Sequence, residues 1–547
     1  MRASPDAWAV PTVDGRRLYP FRGLVRHLLT KSLKTPPVCV HLATNVDRWS
    51  RFHVGVDRAV RLVAGAIASL VLGSVSPAGA QTAAGTPFTV GHVVVSGAIR
   101  SRTYSWNWFG DLPEGDYWHQ GTQVRVGVSE SKQRYDWQLE FEVPFMLHLP
   151  TTAVRAAPQG QLGLGAAYFA ANDGNANPAG LFLKQGFVRV NGLGGITGQS
   201  LRVGRMEFND GLEVTPRNST LAVLKRDRIS QRLIGNFGFS DVLRSLDGVQ
   251  YVLSLPTLNL TAVAARPTAG VFQVNGWSEL NINLLYGALT GQAGNERSAG
   301  EWRVFGLAYD DYRHGIAKTD NRPAMTRLSD TESIRVGTFG GHYLQVSTSP
   351  AGPIDVLLWG AFQTGAWGTL SHWAGAFAAE AGWQPARRLA WQPWIRGGYN
   401  YSSGDSNPDD DTHGTFFQVL PTARIYARTP FFNLMNSVDA FGELILHPSN
   451  RIALRTDLHS VRLARKNDLW YSGGGAFQPG TFGYNGRPSN GQTGLGTLYD
   501  VSGDILLNRH IGLGLYYAYV RSDDVVRAIF PPGSSARFGF VEWQVRF

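Results

Sequence analysis

The chain is 547 residues long with a formal net charge of +10, and it carries 64 Gly, 28 Phe, 19 Tyr and 16 Trp. Its one cysteine, Cys39, excludes a disulfide framework and a Cys-ligated zinc site. Residues 1–80 hold 11 Lys/Arg against 4 Asp/Glu, and residues 81–547 hold 40 against 37, so the basic charge belongs mostly to the leader and gives no ground for a nucleic-acid partner.

The leader ends in a secretory pattern. Arg58 and Arg61 precede the apolar run Leu62 to Val75, and Ala78-Gly79-Ala80 supplies small residues at a cleavage site. This predicts a signal peptide over 58–80 with cleavage after Ala80. The run is short for a transmembrane anchor, which needs about 20 apolar residues. Residues 1–57 are an N-terminal extension: a start site assigned too early, with Val54 or Val56 as the initiator, or else an unstructured segment. Residues 81–547 are expected to form one domain.

From about residue 93 onward, hydrophobicity alternates with period two. Residues 135–149 put Tyr135, Trp137, Leu139, Phe141, Val143, Phe145 and Leu147 on one face against Asp136, Gln138, Glu140 and Glu142. Residues 371–384, 452–460 and 498–508 repeat the pattern. The connections between such segments alternate long and short, from 109–119 and 129–134 through 209–245 and 255–257 to 508–510 and 521–535. The last strand alternates Gly539, Val541, Trp543 and Val545 with Phe540, Glu542, Gln544 and Arg546, and ends on Phe547. Alternating strands with long loops at one end and short turns at the other predict an all-β, closed antiparallel transmembrane β-barrel of about 18 strands in a bacterial outer membrane. Its long loops are extracellular and its short turns periplasmic. The closing contact is expected between residues 536–547 and 93–106.

With the apolar set facing lipid, the polar faces list the lumen. They carry Arg100, Arg102, Arg125, Arg335, Arg396 and Arg455, with Glu140, Glu142, Glu380, Glu443, Asp457, Asp500 and Asp504. Lys184, Arg202, Arg205 and Glu207 lie in short, mixed strands, where a bulge near Gly204 would turn both arginines inward. Any large barrel has a polar lumen, but rings of arginine favour anions, and the guanidinium fork suits carboxylate ligands. The segment 209–245 carries Arg217, Lys225, Arg226, Arg228, Arg232 and Arg244; it either folds into the pore or stands exposed. Asp405, Asn407, Asp409 and Asp411 have Ca²⁺-ligand types at alternate positions, but Phe416 stands where a Ca²⁺ loop places its bidentate Glu, so a solvated turn is the expectation. No cofactor is implied. Ser129-Glu-Ser-Lys132 fits Ser-x-x-Lys without the companion motifs of an enzyme, and no catalytic activity is expected.

Three stretches resemble the alginate export family. Leu201-Arg-Val-Gly-Arg-Met-Glu-Phe-Asn-Asp-Gly211, with Gly204, resembles its VGR-containing strand and turn. Arg244-Ser-Leu-Asp-Gly-Val249, with Asp247, is similar to its R-S-F-D-G-V. Residues Ser403 to Phe416 followed by Leu420-Pro421-Thr422, with Gly404 and Asp405, are similar to its S-G-D, G-T-F and P-T elements. Met206 and Ala423-Arg424 depart from the pattern. The resemblance implies an outer-membrane barrel of about 18 strands through which an anionic polysaccharide leaves the cell. The alternative is a general or substrate-specific porin taking up small solutes, with a small anionic solute as the partner in place of a polysaccharide. A monomeric barrel in a lipid bilayer is expected in either case.

Overall fold

The computed structural model of the chain describes residues 87–109, 112–295, 297–386, 389–422 and 424–547. The signal peptide and the extension before it lie outside these residues. One twenty-stranded sheet dominates, antiparallel except where the short piece 412–413 pairs in parallel with 371–372. Two of its members, 88–90 and 412–413, are short pieces outside the ring, which leaves 18 strands closed on themselves.

In chain order these are β1 (Val93–Asn107), β2 (Asp116–Ser131), β3 (Tyr135–Leu147), β4 (Phe182–Asn191), β5 (Gln199–Met206) and β6 (Leu246–Ser254). Then come β7 (Leu258–Pro267), β8 (Ile282–Gly294), β9 (Ser298–Asp311), β10 (Ile334–Ser349), β11 (Gly352–Trp367) and β12 (Leu370–Trp383). The ring is completed by β13 (Trp394–Ser402), β14 (Ser437–Ser449), β15 (Ile452–Arg462), β16 (Gly494–Leu506), β17 (Ile511–Ser522) and β18 (Ser535–Arg546). Every strand pairs with its sequence neighbour, and β18 returns to β1 in a register running from Ala98 opposite Arg546 to Asn107 opposite Arg537. Closure leaves no open sheet edge, the condition for a sheet to cross lipid.

The outward face is apolar and exposed. Trp302, Val304, Leu285, Phe339, Leu358, Phe377, Val541 and Trp543 all stand out from the wall. So broad a band of exposed apolar side chains is stable against lipid, not water. Among the described residues, no helix is long and apolar enough to span a membrane.

Turns at one end are short, as at 132–134, 350–351 and 450–451; connections at the other run through 148–181, 207–245, 403–436 and 463–493. One connection at the long-loop end is unlike its neighbours: β11 and β12 join through Gly368-Thr369 alone, with Gly368 at φ 64°. The long segments carry their own structure. Helix α1 (Leu164–Ala171) sits in the first, helix α2 (Ser219–Leu224) and a π turn at Lys225–Ile229 in the second, and a hairpin of 469–473 with 484–488 in the last. Their apolar residues pack against inward-facing wall residues such as Trp106, Phe305, Trp359 and Phe538 in two large clusters. The barrel is therefore filled across much of its long-loop half.

Candidate functional site: the loop-filled lumen

The segment 207–245 enters the lumen and crosses it. At one side Asp210 and Glu213 each meet Arg303 of β9 at 3.2 Å. Asp210 also accepts the backbone N–H groups of Leu233 and Ile234, at 3.1 and 2.9 Å, which pins the two limbs of the segment together. Further on, Lys225 pairs with Glu301 of β9 at 2.7 Å, and Arg228 with Glu443 of β14 at 2.9 Å. At the far side Arg100 of β1 donates to the carbonyl oxygens of Gly238, at 2.8 Å, and Ser240. One segment thus rests on three sectors of wall.

A second segment, 403–436, lies against the first. Leu420 and Ile234 form a parallel bridge, with Gly235 N–H donating to Leu420 O and Leu420 N–H to Leu233 O, both at 2.7 Å. Tyr426 projects between charges: its hydroxyl accepts from Arg232 at 2.6 Å and donates to Glu380 at 3.0 Å. Glu380 of β12 is the hub, meeting Arg396 at 3.1 Å and lying 3.7 Å from both Arg228 and Arg232. Arg396 also reaches Asp355 at 3.2 Å, and Arg455 reaches Asp227 at 3.0 Å and Glu443 at 3.1 Å. Burying one of these charges alone is costly, so each cation sits beside carboxylates from the wall or the inserted segment.

Below the crossing lies a cavity of about 200 Å³, lined by Arg226, Arg424, Arg428 and Arg455 against Asp227, Asp457 and Asp500, with Tyr426 and Tyr516. Four arginines face three aspartates there.

Most residues expected on the pore path face inward. Arg100, Arg125, Arg396 and Arg455 do so, each on the parity opposite exposed apolar neighbours. Arg125 meets Glu140 and, at 3.3 Å, Glu207, which also meets Lys184 at 3.3 Å. Arg202 lies inside, over the Phe187 ring at 5.0 Å. Arg205 and Arg335 do not line the lumen. Gly204 stays in register with Phe187 and Gly248, so Arg205 shares the outward face with Val203 and pairs with Asp247 at 2.6 Å. The bulge is on the next strand, beside Lys184, where the β3–β4 register shifts. Gly204 has φ 127°, and a Cβ there would strike the Gly186 carbonyl oxygen. Arg335 is 73% exposed on the outer wall and lies 3.5 Å from Asp310. Its neighbours Ile334 and Val336 are the inward pair, because at that level the lumen is filled and apolar. Asp405 and Asn407 spend side-chain oxygens on the N–H groups of Asn407 and Asp409, at 3.1 and 3.3 Å, as turn residues do. The metal-ligand types that do converge among the described residues are Asp457, His459 and Asp500.

The first two family-like stretches pair side by side in the wall, with Gly204 opposite Gly248 and Arg205 opposite Asp247. Arg244 donates to the carbonyls of Ala476, at 2.7 Å, and Gly474, at 2.5 Å. Phe416 is buried edge-on to Trp359, and Pro421 is buried beside the Leu420 bridge. The inserted segments' contacts with the wall escaped sequence reading; the surplus of Lys and Arg in 209–245, matching acids on the wall, was the one signal for them.

A closed barrel with a lipid-compatible exterior and a charged, loop-restricted interior defines an outer-membrane pore. The sequence profile of the Alginate export family matches residues 154–540, and the chain belongs to that family. No curated protein matches the sequence. Among solved structures it is similar to OccK9 (OpdG) of Pseudomonas aeruginosa, with 11% identity, a TM-score of 0.50, and coverage of 83% of this chain and 98% of that one. OccK1 (OpdK) of the same organism has 11% identity, a TM-score of 0.47 and coverage of 83% and 98%. OccAB2 of Acinetobacter baumannii has 9% identity, a TM-score of 0.48 and coverage of 83% and 98%. The first of these likenesses supports the barrel fold. The protein is a channel of the bacterial outer membrane.

Proposed function

We propose that this pore passes an anionic polysaccharide of the alginate kind outward, as a monomer, without an energy source of its own. The observation that carries the reading is the cavity beneath the crossing, where Arg226, Arg424, Arg428 and Arg455 outnumber Asp227, Asp457 and Asp500. A carboxylate in transit feels charges within about one Debye length, roughly 8 Å at physiological salt, so this local excess outweighs distant surface charge. Guanidinium groups keep their charge at any working pH, and their carboxylate partners fix where they point. Each sugar carboxylate exchanges one such partner for the next, and binding stays weak enough to release.

A porin for small anionic solutes is the second reading. It is favoured by the anchoring of 207–245 on β9, β14 and β1, which narrows the passage. Single-channel recording in asymmetric KCl tests the shared part: the wild type should be anion-selective, and replacing Arg428 and Arg455 together by Ala should move the reversal potential toward cations. A cation-selective wild type sinks the arginine path. Uronic-acid oligomers separate the two readings, since an exporter shows current blocks that lengthen with chain length, whereas a small-solute porin excludes the longer chains.

A further inference from the structure

The wall carries two acids that its arginines leave alone. Glu443, Asp457 and Asp500 stand opposite one another across β14, β15 and β16. Glu443 is held by Arg228 and Arg455. Among the described residues, neither Asp457 nor Asp500 has a Lys or Arg in ion-pair contact, yet they are only 5% and 6% exposed. Two carboxylates so placed repel each other unless they share a proton or a cation comes between them.

His459 supplies the third side. It lies two residues from Asp457 on the same face of β15 and is fully buried. Its Nδ1 lies 3.0 and 3.1 Å from the two oxygens of Asp439. A carboxylate there fixes the proton on Nδ1 and leaves the Nε2 lone pair free. His459 Nε2 and Asp457 Oδ1 are both buried without a hydrogen-bond partner among the described residues. One ligand atom from each of Asp457, His459 and Asp500 lies within 4.8 Å of the others. Asp500 is steadied by the Tyr516 hydroxyl at 2.8 Å. A carboxylate behind the imidazole and a donor behind a ligand oxygen are the outer-shell supports that orient metal ligands.

We propose that Asp457, His459 and Asp500 bind one divalent transition-metal ion of the zinc or manganese class. The donor set gives the class. An imidazole nitrogen favours such ions over calcium or magnesium, and the lack of thiolate disfavours copper(I). Asp457, Asp500 and Tyr516 line the 200 Å³ cavity, so the ion enters from the lumen and keeps an open position facing it. This site stands whatever solute the pore carries. Its effect on any solute is to replace two uncompensated carboxylates with a neutral or positive centre next to Arg428 and Arg455.

Zinc is the probe. The full-length barrel, extracted in detergent, stripped with a chelator and dialysed against Zn²⁺, should hold one zinc per chain with nitrogen and oxygen neighbours in its X-ray absorption spectrum. His459→Ala should lose it, and Asp439→Asn, which keeps every ligand, should weaken it by about 10- to 100-fold. Folding of each variant is checked by heat-modifiable migration in gels. Zinc retained by folded His459→Ala, no zinc in the wild type, or displacement of zinc by equimolar Ca²⁺ overturns the site. Where a variant fails to fold, anomalous diffraction at the zinc edge of wild-type crystals decides: a peak away from these residues refutes the assignment.

Discussion

The two segments that fill the lumen are held there by different forces. Residues 207–245 are tied by charge, through Arg303 and Glu301 of β9, Glu443 of β14 and Arg100 of β1. Residues 403–436 are held chiefly by rings and amides: Phe416 packs edge-on against Trp359, and Gln363 of β11 both accepts from Phe417 N–H and donates to Phe417 O, at 2.7 and 2.8 Å. An amide pair and an aromatic edge give a passing anion nothing to compete for. A guanidinium held by a carboxylate does, because another carboxylate can take its place. The first segment is therefore the one a charged solute can rearrange, and the second is the backstop it leans on through Leu420.

Experiments that separate the segments follow from this. The largest effect is expected from excising residues 214–239 and joining the ends with a flexible linker, which removes the crossing and should raise single-channel conductance several-fold. Equal conductance would mean the crossing does not limit flow. Next is Glu380→Ala, which leaves Arg228, Arg232 and Arg396 short of a shared carboxylate; breaking such a buried network costs roughly 3–5 kcal/mol. Trypsin should then cut at Arg228 or Arg232 in the folded barrel. Gln363→Ala should loosen only the second segment, by about 1–3 kcal/mol, seen as faster hydrogen exchange at Phe417 with exchange near Lys225 unchanged.

A smaller effect concerns pH at the extracellular loops. Asp405 N–H donates to Asp468 at 2.9 Å, and burial pushes both carboxyls up to about 6. Raised acids bind protons in the folded loop that the unfolded loop has released, so the folded loop is most stable below about pH 4 and loses that stability as pH rises through 6. Amide exchange at Asp405, corrected for intrinsic rate, should be slower at pH 4.5 than at pH 7.5. The smallest effect belongs to Arg335→Ala: a side chain 73% exposed on the outer wall should leave the reversal potential where it is.

Much of the wall was legible because period-two alternation is a property of single strands. The 18-strand ring, the β1–β18 closure and the inward positions of Arg100, Arg125, Arg396 and Arg455 all follow from it. The same rule misplaced Arg335, since it equates the apolar face with lipid. Where inserted segments fill the lumen, inward residues such as Ile334, Val336 and Leu344 are apolar too, and parity must be carried along from an unambiguous stretch. Arg205 was misplaced because a one-residue slip reverses the facing, and the slip lies at Lys184, not at Gly204. What remained hidden was pairing across the lumen: Arg228 and Glu443, or Leu233 and Leu420, lie about two hundred residues apart, and composition does not encode such partners.

Arg102 has a consequence for how the molecule is assembled. It bonds at once to Glu542 of β18 and to the Phe239 carbonyl of the inserted segment. The last strand to leave the translocation machinery and a plug encoded some three hundred residues earlier thus share one guanidinium. Sealing the ring and seating the plug become a single cooperative event, so a barrel that zips shut before residues 237–241 arrive traps them outside. Such a kinetic dead end would be recognisable as a closed, protease-sensitive species that accumulates in Arg102→Ala.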